Sequence, residues 1–159
     1  PCTISDTMPT FRVEFSARVH APADVVYRLI ADYRDGHPRI VPAKYFSDLV
    51  VDEGGYGAGT RFHIDMTVLG TTRRMRAVVE EPQPGRVLRE RDVDRGIVST
   101  FEVVPVGGSE CDVTIATELP DRGGIAGAVE RFVSRRMLPR IYREELAQLE
   151  RVALAFHRS

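Results

Sequence analysis

Apolar and polar residues alternate strictly along the first structured stretch of the chain. Phe11, Val13, Phe15, Ala17 and Val19 fall on one side, and Arg12, Glu14, Ser16, Arg18 and His20 on the other. A period of two is that of a strand with one buried face. The period then changes: behind Pro22, which suits the first turn of a helix, Val25, Val26, Leu29, Ile30 and Tyr33 recur at helical spacing. Asp32 is placed to cap a second short helical turn, interrupted by Gly36, His37 and Pro38 before Ile40 and Pro42 lead into the next strand. Two short helices are therefore expected between the first two strands.

Strand-like segments follow at about 45–52, 60–69, 72–81, 86–93, 97–105 and 110–118, separated by Gly70, Pro82-Gln83-Pro84-Gly85, Asp94-Arg95-Gly96 and Gly107-Gly108-Ser109. Links this short favour neighbouring antiparallel strands, so a six-stranded meander is expected, seven strands with the first. On the 86–93 segment, Val87, Arg89 and Arg91 share one face and Leu88, Glu90 and Asp92 the other, and the pattern leaves open which face is inward. From Gly123-Gly124 to about His157 the chain reads as one long helix. Its apolar stripe changes side: Ile125, Val129, Phe132 and Val133 lie almost opposite Ile141, Leu149, Val152 and Phe156. Pro139 stands where the stripe changes, and a kink or short break is expected around Met137 to Pro139.

Length and charge narrow the picture further. The 159 residues fit one domain, read as a flexible leader over 1–10 and a single domain over 11–159. With 22 basic against 23 acidic side chains, the overall balance calls for neither nucleic acid nor an anionic membrane. No apolar run approaches the length of a membrane span, and the first ten residues lack the basic and apolar regions of a signal peptide. A cytoplasmic protein without stable membrane insertion, monomeric or weakly dimeric, is expected. Cys2 and Cys111 form no disulfide framework, and His20, His37, His63 and His157 show no metal-ligand spacing, so no metal or other cofactor is expected.

The stretch Glu53 to Phe62, EGGYGAGTRF, has four glycines in six residues. It fits neither a dinucleotide fingerprint nor a P-loop, and both would require a helix where Phe62 to Val68 instead alternates as a strand. The simplest reading is a connection between two strands.

The order strand, two short helices, six-stranded meander and long terminal helix resembles the helix-grip fold of the SRPBCC superfamily. This group includes START lipid-transfer domains, the birch-pollen allergen family and bacterial polyketide cyclase/dehydrase-like proteins. APADVVYRLIADYRDGHPRIVP (Ala21 to Pro42) is similar to the family's helix pair, EGGYGAGTRF to its glycine-rich turn, and EEPQPGRVLRE (Glu80 to Glu90) to its turn between strands four and five. The resemblance implies an α+β domain with a curved antiparallel sheet around the terminal helix. It also implies a cavity between them, with Gly55, Gly57 and Gly59 at its rim.

Such a sheet and helix do not readily fill the space between them. The candidate lining is Phe62, Ile64, Met66, Val68, Met75, Ala77, Val79, Phe101, Val103, Val113 and Ile115, each equally suited to plain core packing. As a set they predict a small hydrophobic or amphipathic ligand. Glu145 falls inside the apolar stripe of the terminal helix and Tyr142 at its edge. A buried carboxyl must be paired or protonated, so Glu145 is either an ion-paired acid or a general acid or base with a raised pKa. Arg89, if inward, would polarise a carbonyl or bind an acid group. His63, Arg74 and Arg76 are read as solvated sheet positions and Cys111 as structural. Two functions remain open: carriage of a lipid, isoprenoid or aromatic metabolite, or aromatase/cyclase chemistry in which Glu145, Tyr142 and Arg89 drive aldol ring closure and dehydration. Replacing Gly57 or Gly59 with valine should disturb folding or ligand access.

Overall fold

The computed structural model describes residues 8–158. Of the expected leader, residues 1–7, Cys2 among them, lie outside the described residues, and β1 begins at Thr10. The elements run β1 (Thr10–Val19), α1 (Ala23–Ala31), α2 (His37–Ile40), β2 (Phe46–Glu53), β3 (Arg61–Val68) and β4 (Thr71–Gln83), then β5 (Val87–Asp92), β6 (Val98–Val106), β7 (Glu110–Pro120) and α3 (Gly124–His157). The seven strands form one antiparallel sheet in the order β1-β7-β6-β5-β4-β3-β2. The meander is as expected, and β1 closes it by pairing with β7 from Thr10↔Pro120 to Val19↔Cys111.

Local chemistry explains the helix pair. Pro22, with no N–H to leave unpaired, precedes α1, and its carbonyl accepts the first helical bond from Val26 N–H at 3.1 Å. The Asp32 carboxylate accepts from the backbone N–H groups of Arg34 and Asp35, both at 3.1 Å, turning the chain into α2. Here α2 is a single turn carrying the buried His37 and Ile40.

The core lies between the concave sheet face, α1, α2 and the C-terminal half of α3. Tyr33, Phe62, Ile30, Ile40 and Leu88 are among its largest fully buried side chains, and Ile141, Leu146, Leu149 and Ala153 are the contribution of α3. On the convex face, opposite charges pair across strands: Arg74 with Asp65 at 2.9 Å, Arg76 with Asp94 at 2.5 Å, and His63 with Asp52 at 2.9 Å. The Arg74 guanidinium holds the Asp65 carboxyl below its usual range. Cys111 is buried in the core, and burial pushes its thiol up to about 11, so it is unreactive.

The short break expected in α3 is not found. The helix continues through Pro139 without a break. Its apolar stripe does change face: Ile125, Val129 and Phe132 are exposed, whereas Ile141 and Leu149 of the second segment are buried, Val152 is half-buried and Phe156 is exposed.

Candidate functional site

Period-two alternation puts one face of every strand of the sheet toward α3. On β3 the inward residues are Phe62, Ile64, Met66 and Val68, and β4 sets Met75 directly across from Ile64. On the neighbouring pair, Phe101 of β6 lies opposite Ile115 of β7, and Ser99 opposite Thr117. Above them, α3 does not reach the sheet along its whole length. What remains is a cavity of about 520 Å³, a size ordinary for small-molecule sites.

Seven of the eleven expected lining residues face this space: Phe62, Ile64, Met66, Val68 and Met75, with Phe101 and Ile115. Ala77, Val79, Val103 and Val113 do not; they are buried among core side chains nearer the helix pair and the C-terminal half of α3. The glycine-rich stretch is also absent from the cavity wall. It is a clamp: Gly57 N–H donates to the Ala31 carbonyl, Tyr33 N–H to the Gly55 carbonyl, and Gly59 N–H to the Val79 carbonyl, each at 2.9 Å. The Glu81 carboxylate completes it, accepting from Tyr27 OH at 2.6 Å and Ala58 N–H at 2.8 Å. Gly55, Gly57 and Gly59 thus hold the end of α1 to β4, and are not a rim.

β5 settles which of its faces is inward. Leu88, Glu90 and Asp92 are buried, so Arg89 points to the convex side, where its guanidinium lies 3.5 Å from Glu80. Arg89 therefore cannot join Glu145 and Tyr142. Glu90, one residue along, takes the inward position instead. Its carboxylate accepts from Tyr33 OH at 2.6 Å and lies 3.5 Å from His37 Nε2. The other ring nitrogen of His37 is 2.8 Å from the Ile30 carbonyl oxygen. That oxygen only accepts, so Nδ1 carries a hydrogen and Nε2 is turned toward Glu90. The imidazole stacks on Tyr33 at 4.5 Å and meets Phe101 edge-on at 5.7 Å, which fixes its plane.

Glu145 and Tyr142, three apart on α3, both face the cavity. The Tyr142 hydroxyl bonds to Thr117 Oγ1, which also bonds to Ser99 Oγ at 2.9 Å. Burial raises the Tyr142 phenol well above its usual range. Glu145 is only 4% exposed, and its Oε1 has no hydrogen-bond partner, alone among the buried side-chain polar atoms of the described residues. Burial first, and the nearby Glu90 charge second, push its carboxyl up to about 8. Two carboxyl groups thus share one cavity in different surroundings: Glu90 accepts from the Tyr33 hydroxyl, and the Oε1 of Glu145 has no partner.

Sequence reasoning missed Glu90 and His37 as cavity residues. Val87 and Leu88 are both apolar, so alternation on β5 carried no sign of its inward face, and His37 read as a loop residue between helices.

A profile of the family described as polyketide cyclase / dehydrase and lipid transport matches residues 10–154. The chain belongs to that family. Its architecture is the helix-grip fold of the SRPBCC superfamily, as the element order led us to expect. Among solved structures, the KanY protein (ms6282) superposes with a TM-score of 0.79 at 26% identity, covering 92% of this chain and 99% of that one. The ZhuI aromatase/cyclase from Streptomyces sp. R1128 gives 0.75 at 18% identity, over 91% and 94%. Norcoclaurine synthase from Thalictrum flavum, in complex with dopamine and hydroxybenzaldehyde, gives 0.70 at 17% identity, over 94% and 89%. The last two, at such identities, are similar in fold alone. No curated protein matches the chain. No helix of the described residues is long and apolar enough to cross a membrane.

Proposed function

We propose that this member of the polyketide cyclase / dehydrase and lipid transport family binds a small apolar or aromatic molecule bearing one hydroxyl or carbonyl group. The molecule lies between the sheet and α3, with its polar group against Glu145. The observation that carries this reading is the unpartnered Oε1 of Glu145 in the wall of an otherwise largely apolar cavity. A buried polar atom without a partner costs about 1–3 kcal/mol, a cost that a ligand donor or acceptor removes. A protonated carboxyl both donates and accepts, so it suits a neutral oxygen and disfavours a ligand carboxylate.

The reading is tested by fluorescence titration with 2-naphthol and with 2-methylnaphthalene, which has no hydroxyl. Binding of 2-naphthol at least about 5-fold tighter, with that preference lost in Glu145→Leu, is the expected result. Equal affinity for both probes in the wild-type protein contradicts the assignment of Glu145.

One observation favours a second, catalytic reading: two carboxyls in one cavity, one protonated and one supplied with a donor, form an acid and base pair. Glu90 would take a proton from the carbon next to a ketone, and the resulting enolate carbon would attack a second carbonyl. That carbonyl oxygen would receive the proton of Glu145, and loss of water would follow. This is aldol cyclisation and dehydration; a protein of the same fold, ZhuI, is named an aromatase/cyclase. Turnover of a poly-β-ketone by the wild-type protein, lost in both Glu145→Gln and Glu90→Gln, would favour it over binding alone. In that reading Glu90 and His37 stand where Arg89 was expected.

A further inference from the structure

The chain is almost neutral overall, but its charge is not evenly spread. Between Arg122 and Arg143 there are six arginines and one glutamate. Two of these have acidic partners, Arg131 with Asp121 at 2.5 Å and Arg122 with Glu130 at 3.9 Å. Arg135, Arg136, Arg140 and Arg143 have no carboxylate partner among the described residues; Arg135 and Arg143 rest over the rings of Phe11 and Phe15. These four line one shallow surface recess with Phe132 and Pro139. Next to them on α3 stand large exposed apolar side chains, Ile125 at 86%, Phe132 at 70% and Val129 at 57%.

The same half of α3 also lines the cavity, largely with its other side. Val129 and Ala126 of α3 line it, as do Leu69, 73% exposed at the β3–β4 tip, and the exposed Arg73 of β4. Leu69 is held at a φ of 51°, a conformation unusual for a leucine, so the tip presents an apolar side chain where glycine or asparagine would sit more comfortably. Exposed apolar side chains flanked by unpaired guanidinium groups are the pattern of a surface that lies in the headgroup region of an anionic bilayer.

We propose that the N-terminal half of α3 and the β3–β4 tip dock reversibly on an anionic phospholipid membrane. Ile125, Val129, Phe132 and Leu69 enter the interface, and Arg136 and Arg140 meet phosphate groups. Charge complementarity decides for anionic lipid over neutral lipid. The exposure of Ile125, Val129 and Phe132 decides for a fluid surface over a folded partner, because single protruding side chains seat in lipid without a preformed pocket. The proposal is independent of what the cavity holds.

The test is co-sedimentation of the full chain with phosphatidylcholine vesicles containing 0 or about 30% phosphatidylglycerol. Binding should be at least about 10-fold stronger on the anionic vesicles and should weaken in high salt. Neutralising each arginine should cost about 5-fold, so Arg136→Gln with Arg140→Gln should lose about 25-fold. Phe132→Asp should weaken binding as well, whereas Arg61→Gln with Arg91→Gln, on the sheet, should not. All these positions are exposed or half-exposed, so folding is retained and is checked by circular dichroism. Equal binding to neutral and anionic vesicles, no binding to either at low salt, or insensitivity to the α3 variants overturns the proposal. So does a dimer in solution that Phe132→Asp dissociates, which would assign the face to a second copy of the chain. The assay contains no cavity ligand, so its failure leaves the reading of Glu145 untouched.

Discussion

Replacing Glu145 by glutamine should change how stability depends on pH, in a direction that the burial of Glu145 fixes. Burial and the neighbouring Glu90 raise the Glu145 carboxyl from its ordinary 4.5 to about 8. Between those values the folded protein holds a proton on Glu145 that the unfolded chain has released, so stability must fall as pH rises. The contribution is fully present below about pH 4.5 and is lost as pH rises through about 8. The gap corresponds to roughly 5 kcal/mol at 1.36 kcal/mol per pH unit, of which about half, roughly 2.5 kcal/mol, falls between pH 5.5 and 7.5. Glutamine has nearly the same shape and no charge, so Glu145→Gln lacks this slope. Urea unfolding of both proteins at pH 5.5, 6.5 and 7.5, at constant ionic strength, gives the difference directly. The other groups facing this end of the cavity, Glu90, His37, Tyr33 and Tyr142, are present in both proteins and cancel to first order. The variant should gain on the wild-type protein by about 2.5 kcal/mol over that range. A difference constant to within about 0.5 kcal/mol would mean that the Glu145 carboxyl is unshifted, and one of opposite sign that it is ionised and paired in the folded protein; either contradicts a carboxyl raised by burial.

Other substitutions separate clamp, surface and cavity. Gly57 has a φ of 61°, and a Cβ there would stand 2.4 Å from Glu81 Oε2, so Gly57→Val should cost about 3 kcal/mol in urea unfolding. Gly59 has a φ of 87° but open space around it, so Gly59→Ala should cost only about 1 kcal/mol; equal costs would argue against the clamp. Arg89→Ala should change stability by less than about 1 kcal/mol and leave 2-naphthol binding unaltered, because Arg89 is paired with Glu80 on the convex face. Ser134→Trp, which adds bulk from α3 into the cavity, should abolish 2-naphthol binding while the circular dichroism spectrum is retained.

The architecture was legible because its signals are local and repeated. Alternation from Phe11 to Val19, turn residues between strands and the helical spacing after Pro22 each specify an element without help from the rest of the chain. The site was legible only in part. Glu145 could be singled out because a carboxyl inside an apolar helical stripe conflicts with burial unless something answers it. The direction of Arg89 stayed open because Val87 and Leu88 give β5 an apolar residue on each face, and only the burial of Leu88 in the folded core shows which face is inside. The glycines suggested a rim, yet their role depends on hydrogen bonds to Ala31 and Val79, which lie far along the chain. The stripe of Ile125, Val129 and Phe132 was visible as a periodicity, but a period does not say what covers it, and overall charge balance concealed the arginines beside it.

In the proposed binding mode, the space beneath α3 receives a small apolar molecule whose polar group meets Glu145. The most direct measurement is a nuclear magnetic resonance titration of methyl-labelled protein with 2-naphthol. Saturable shifts concentrated at Ile64, Met66, Met75, Ile115 and Ile141, attenuated in Glu145→Leu, are predicted. Shifts that never saturate, or that fall on exposed convex-face methyls such as those of Val93 and Val104, would contradict it.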